Sequence, residues 1–394
     1  MIPYGRHSID QDDIDAVVQS LRSDWLTQGP ALRRFEIDLS LRTDAKFAVA
    51  CNSGTAALHM AYSAAGVGPE NTVIVPANTF LATANAAIYL GAEVRFCDVD
   101  ADTGLMTAEA LGATLDDSVR AVVPVHFAGQ PCDMASIAQV IQERSPDAVL
   151  IEDACHAIGG VYEDGSPVGK PRYASMAAFS FHPVKHIAAG EGGAVTTNCP
   201  KLKERLEAFR NHGMTKDSKQ LRRRNEGPWY YEMHAPGFNY RIPETACALA
   251  ASQLAKLDRF IARRREIAGR YLSELADISH LTLPPKSHLN TSAWHLFCVH
   301  IDYQQLGFSR TDVMAALQRN EIGTQVHYFP VALQPYYVDQ YGHDETQFPG
   351  ALAHYDRALS IPLFAAMTDT EVQQVISAVK EVMASAARRS LQVA

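Results

Sequence analysis

Apolar residues along this chain follow two rhythms, and the switches between them mark its elements. A Ser8-Ile9-Asp10-Gln11 capping-box pattern precedes Ile14, Val17, Val18 and Leu21 at helical spacing, which predicts a first helix. Beyond it, short apolar runs at 47–51, 72–75 and 93–97 read as strands, with helices expected between them at 55–65 and 80–89. Further strands are expected at 121–125, 148–152, 177–180 and 194–197, and helices at 134–142 and 201–209. Short apolar strands alternating with helices imply an α/β fold with a mostly parallel central sheet and helices on both faces. Residues 211–241 are richer in charge, glycine and aromatics and read as a long excursion. A helical region follows from near Pro243 to Leu275, with Pro243 suited to the first helical position. Strands at 295–301 and 324–327 and helices at 310–319 and 370–384 complete the chain. The expected division is a large domain at 1–250 and a smaller C-terminal α/β domain at 251–394.

Composition narrows the class. With 394 residues and 47% apolar content the chain has ample core, which excludes a disordered protein or a small disulfide scaffold. No apolar run approaches the roughly 18 residues of a membrane span, and Met1-Ile2-Pro3-Tyr4 opens no signal-like segment, so the cytoplasm is expected and a membrane is not. Seven cysteines without a C-x-x-C pair imply reduced thiols and no thiolate zinc site. A formal charge of −9 argues against a nucleic-acid partner, and the basic runs Arg222–Arg224 and Arg263–Arg265 are expected on solvated helix faces.

Familiar phosphate and metal motifs fail. The stretch from Gly165 to Pro171 imitates a P-loop, but Asp164 stands where the first glycine belongs and Pro171 follows Lys170 in place of Ser or Thr. Gly66-Val67-Gly68 lacks the third glycine of a dinucleotide fingerprint. His182 and His186 have an i, i+4 spacing that Pro183 spoils, so no metal site is expected.

Four segments carry the chemistry, three of them at the ends of expected strands, where open parallel sheets gather ligands. Asn52-Ser53-Gly54-Thr55 is a strand-to-helix turn whose amides and hydroxyls suit a phosphate. Glu152-Asp153-Ala154-Cys155-His156 places a carboxylate at a strand tip. At about 4 Å from a protonated pyridine nitrogen such a carboxylate contributes roughly 4 kcal/mol at an effective dielectric of 20, or about three pK units. Ser180-Phe181-His182-Pro183-Val184-Lys185, followed by Gly190-Glu191-Gly192-Gly193, sets one lysine among apolar and glycine neighbours. Desolvation lowers a lysine's pKa and exposes the neutral amine that attacks carbonyls. Gly237 to Glu244 forms a polar and aromatic patch at a helix start.

Together these segments, with Ser23 to Pro30, Pro76 to Phe80 and His327 to Pro330, resemble the sugar-nucleotide aminotransferases of the DegT/StrS type over nearly the whole chain. The resemblance implies a fold-type I pyridoxal 5′-phosphate (PLP) enzyme that passes through a pyridoxamine phosphate (PMP) form. It implies Lys185 as the covalent anchor and proton shuttle, Asp153 beside the pyridine nitrogen, His156 at the ring hydroxyl and Phe80 stacked on the ring. Ser53, Gly54, Thr55 and Ser180 would hold the phosphate, joined by Asn239 from a second subunit, so a homodimer with shared active sites is expected. Tyr4, Trp25, Thr27, His327 and Tyr328 would line the sugar pocket. Within the family, residues 179–195 are nearest to enzymes that take nitrogen from L-glutamate to C4 of a UDP-linked 4-keto-6-deoxy amino sugar. Their product is UDP-4-amino-4,6-dideoxy-N-acetyl-β-L-altrosamine, for pseudaminic acid. Another dTDP- or UDP-keto sugar, aminated at C3 or C4, is the nearest alternative. Lys185 speaks against both the histidine-bearing sugar dehydratases of the family and a non-catalytic regulator.

Overall fold

The computed structural model describes residues 1–223 and 225–393, with side chains as far as residue 386. Seven strands form the central sheet: β1 Phe47–Cys51, β2 Thr72–Pro76, β3 Glu93–Cys97, β4 Val119–Val122, β5 Val149–Asp153, β6 Met176–Ser180 and β7 Gly193–Thr197, in the order β1-β7-β6-β5-β4-β2-β3. Both β2 and β7 are buried at every position, as strands covered on two faces must be. The sheet is parallel except for β7, which runs against both β1 and β6. A parallel return needs a crossover, usually a helix, and the link at 181–192 contains none, so β7 folds back beside β6.

A two-stranded hairpin, β8 Met214–Thr215 with β9 Glu232–Met233, lies within the charged excursion. A second sheet then follows, β10 Leu281–Thr282, β11 Phe297–Ile301 and β12 Ala358–Ile361, antiparallel throughout. It packs with the helices Arg310–Arg319 and Asp369–Val393 in a separate apolar core that also takes Ile2. The helix Leu257–Glu274 spans the two regions: Leu257 and Ile261 lie in the large-sheet core, Ile267 and Tyr271 in the small one.

Local chemistry corrects several expectations. The first helix, Gln11–Arg22, is capped by a reciprocal Asp10–Asp13 box, while the Ser8 carbonyl accepts from Gln253 Nε2 at 2.8 Å. The helix Pro30–Arg42 was not anticipated; its amides at Gly29, Ala31 and Leu32 are capped by the buried Glu244 carboxylate at 2.7–3.1 Å. Pro243 is the N-cap of Glu244–Ala255, one residue before the expected position. The 324–327 segment forms no strand, only a bridge between Gln325 and Ser360. Arg222 and Arg223 sit in an irregular loop, and Arg224 lies outside the described residues. Arg264 is buried, its guanidinium donating to the carbonyls of Trp294, His295 and Leu363. No described helix is long and apolar enough to cross a membrane.

Candidate active site

Three chain segments meet at the end of β1. Ser53 opens the helix Gly54–Ala64 by accepting from the Ala56 amide at 3.1 Å. A Cβ on Gly54 would stand 2.8 Å from Ser180 Cβ and 3.0 Å from Ser180 Oγ, and one on Gly193 would stand 2.2 Å from the Ser53 carbonyl oxygen. Only glycine permits this approach, which brings the β6 tip against the helix N-terminus. Ser53, Gly54, Thr55 and Ser180 therefore share one end of a cavity of about 690 Å³. Uncapped amides and a positive helix end make that corner a seat for an anion.

The tip of β5 supplies the acid. Asp153 is 5% exposed; one carboxylate oxygen accepts from Thr83 Oγ1 at 2.7 Å and the other from the Cys155 amide at 3.1 Å. Thr83 is itself fixed through Thr79 Oγ1 at 2.7 Å. On the opposite side of the strand, Glu152 accepts from His126 Nε2 at 3.1 Å and from Tyr162 OH, and His126 Nδ1 accepts from the Cys132 amide at 3.2 Å. The Cys132 amide assigns the ring proton to Nε2, so that nitrogen donates to Glu152.

Lys185 lies in the link between β6 and β7, its amide bonded to the His182 carbonyl at 2.8 Å. Burial holds its pKa below the ordinary lysine value, against weaker opposing pulls from Cys155 and Asp153. Its Nζ stands 3.5 Å from His295 Nε2. Burial likewise drives His156, His186 and His295 well below the usual imidazole range and His327 down to about 3. His186 is occupied by the Ala293 carbonyl at 2.9 Å and His327 by Ser360 Oγ at 2.9 Å. His156 meets Tyr328 OH at 3.4 Å, while the Nδ1 atoms of His156 and His295 are buried without a partner.

Of the residues singled out in the sequence, Tyr4, Phe80, His327 and Tyr328 also line this cavity with Lys185, Asp153 and His156. The Tyr4 ring lies 5.5 Å from His327, and Phe80, 56% exposed, faces Tyr328 at 6.3 Å. Trp25, Thr27 and Asn239 are not in its wall; all three are exposed, Thr27 bridging to Pro243 and Asn239 to Asn211. Two contributors went unnoticed. His295 is remote in sequence from Lys185 and precedes a strand without any motif; Thr83 carried a faint sign, an i, i+4 pair with Thr79 at a helix start.

Residues 7–380 match the model of the DegT/DnrJ/EryC1/StrS aminotransferase family. The chain belongs to that family. It is 38% identical over 386 residues to the spore coat polysaccharide biosynthesis protein SpsC of Bacillus subtilis (strain 168), covering 98% of each chain. Its fold superposes on the putative sugar aminotransferase Spr1654 of Streptococcus pneumoniae in apo-form with TM-score 0.90 and 29% identity, over 99% of each chain. That neighbour is also known in PMP and PLP forms. Helicobacter pylori PseC, an aminotransferase involved in pseudaminic acid biosynthesis, superposes with TM-score 0.89 and 28% identity, over 98% of this chain and 99% of that one. The large mostly parallel sheet with its smaller partner is thus the sugar-aminotransferase architecture of the DegT family.

Proposed function

We propose that this chain is a PLP-dependent aminotransferase that moves nitrogen from L-glutamate to the C4 ketone of a UDP-linked 4-keto-6-deoxy amino sugar. The observation that carries the reading is the convergence of Lys185, Asp153 and the Gly54–Ser180 corner around one cavity. The residues present fit the cofactor: the glycine-cleared corner at a helix N-terminus suits its phosphate, and the partnerless Nδ1 of buried His156 awaits a polar group. When bound, PLP supplies an electron sink that loosens the α-proton of an attached amine.

The chain's own residues supply the rest. Ser53, Gly54, Thr55 and Ser180 hold the phosphate, Phe80 covers the ring and His156 meets its hydroxyl. Asp153, steered by Thr83 and the Cys155 amide, favours a protonated ring nitrogen. Lys185 would be the side chain that holds the cofactor and carries the proton at its Nζ, whose pKa burial lowers from the ordinary lysine value. Tyr4, His327 and Tyr328 face the sugar. Asn239 would reach the phosphate from a second copy in a homodimer, and Trp25 and Thr27, which lie outside this cavity wall, are proposed as further sugar contacts. Seven unpaired cysteines support a cytoplasmic setting.

A second reading is another dTDP- or UDP-keto sugar, aminated at C3 or C4; the 38% identity to a spore coat polysaccharide protein favours keeping it. Purified protein with PLP should absorb near the visible edge and lose that band on adding L-glutamate. Borohydride followed by peptide mapping should mark Lys185. The aminated protein, challenged with a panel of keto sugars, should convert the UDP-linked 4-keto sugar fastest. No band and no mark would overturn the PLP reading; preference for another sugar would overturn only the substrate.

A further inference from the structure

We propose that Cys298, His300 and His354 form a binding site for a borderline divalent cation of the Zn²⁺ class, outside the cavity that holds Lys185. Cys298 and His300 are two apart on β11 and so share one face of the small sheet. The helix Pro349–Arg357 brings His354 over that face. Sγ of Cys298 and one nitrogen of each histidine lie within 4.8 Å of one another, and His300 Nε2 stands 3.1 Å from His354 Nδ1. Donors at neighbouring corners of a tetrahedral zinc site stand about 3.3–3.7 Å apart, so the trio needs about 1 Å of side-chain closure.

The donor set selects the metal. One thiolate and two imidazoles suit Zn²⁺ and its neighbours and give Mg²⁺ or Ca²⁺ no oxygen cage. Three protein ligands leave a fourth position, and a cavity of about 40 Å³ lined by all three also includes Asp102 and Thr103. That is room for a ligating water, which requires about 10–15 Å³. Protons balance simply. The Cys298 thiol releases one proton to solvent. The proton between the two imidazoles moves to the non-ligating nitrogen of its own ring, leaving both neutral and the occupied site with a net charge of +1.

The site lies one side chain behind the active-site wall. Phe127 packs at 5.3 Å from the His354 ring, 6.2 Å from Tyr328 and 6.3 Å from His156. A cation there would tie the small sheet to the ring that backs both residues.

Cobalt tests the assignment because a thiolate bound to Co²⁺ gives a charge-transfer band that nitrogen or oxygen ligands alone do not. Holoenzyme stripped with a chelator should show this band in a difference spectrum, saturating at a single site and displaced by Zn²⁺. The band should vanish in Cys298→Ser, and Co²⁺ affinity should fall more than about tenfold in His354→Gln, the least expected for losing a direct ligand when losing only a hydrogen-bond partner of a ligand costs about 10- to 100-fold. Absence of a saturable band in the wild-type holoenzyme, or its persistence in Cys298→Ser, would overturn the site; the first outcome needs no variant to fold.

Discussion

Glu152 and Asp153 end the same strand yet live in opposite regimes. On the Glu152 side the polar groups close on themselves: His126 and Tyr162 both donate to its carboxylate, the Cys132 amide completes His126, and none of the trio is among the described atoms left without a partner. On the Asp153 side satisfaction stops short. Each Asp153 oxygen accepts one hydrogen bond, but the Nδ1 atoms of His156 and His295, which line the same cavity, have none. A buried polar atom without a partner costs about 1–3 kcal/mol, so a ligand that reaches these two nitrogens would regain that much. One side of the strand is finished by folding; the other is where the proposed cofactor would add the missing partners.

The sharpest way to break this contrast is Lys185→Ala. Turnover should fall about 10⁴-fold, the upper range of general acid–base contributions, while the urea midpoint stays in place. Retained turnover in a single-turnover assay would remove Lys185 from the chemistry. Asp153→Asn should bind PLP but transaminate about 100- to 1000-fold more slowly, in line with the roughly 4 kcal/mol that its charge supplies; near-normal rates would refute its role. Glu152→Gln should give the reverse signature, a stability loss of about 1–3 kcal/mol in denaturant titration with the cofactor spectrum unchanged in the folded fraction. Slow turnover at full stability would show that the two sides cannot be separated.

The smallest effect at neutral pH concerns His327, whose pKa burial lowers from 6.5 to about 3, with Lys185 adding to the shift. Below pH 6.5 the unfolded chain binds a proton that the folded imidazole refuses, so stability present above that pH is lost as pH falls towards 3. The slope for one such group is about 1.4 kcal/mol per pH unit, and His327→Gln should flatten the acid limb by about that much. An unchanged slope would mean that the imidazole titrates normally.

The sequence was most legible where local pattern decides. Strands at 47–51 and 93–97 and the helix at 310–319 fall where their apolar spacing puts them. Gly54, Asp153 and Lys185 share a cavity because strand ends converge in any open sheet of this kind. Strand direction was not legible, since apolar alternation is the same for β7 whichever way it runs. Nor was the cap on Pro30–Arg42, which comes from Glu244, far along the chain. His295 was hidden for the same reason: its meeting with Lys185 is created by the docking of two cores.

The reversal of β7 has a consequence for variation among relatives. Five residue pairs, from Met176 with Thr197 to Ser180 with Gly193, pin both ends of the loop that presents Lys185, like a handle fixed to one plate. Inserting or deleting residues within that handle would leave the plate intact while moving the amine out of reach of the phosphate corner. Homologues whose handles differ in length should therefore fold alike and be suspected of different chemistry.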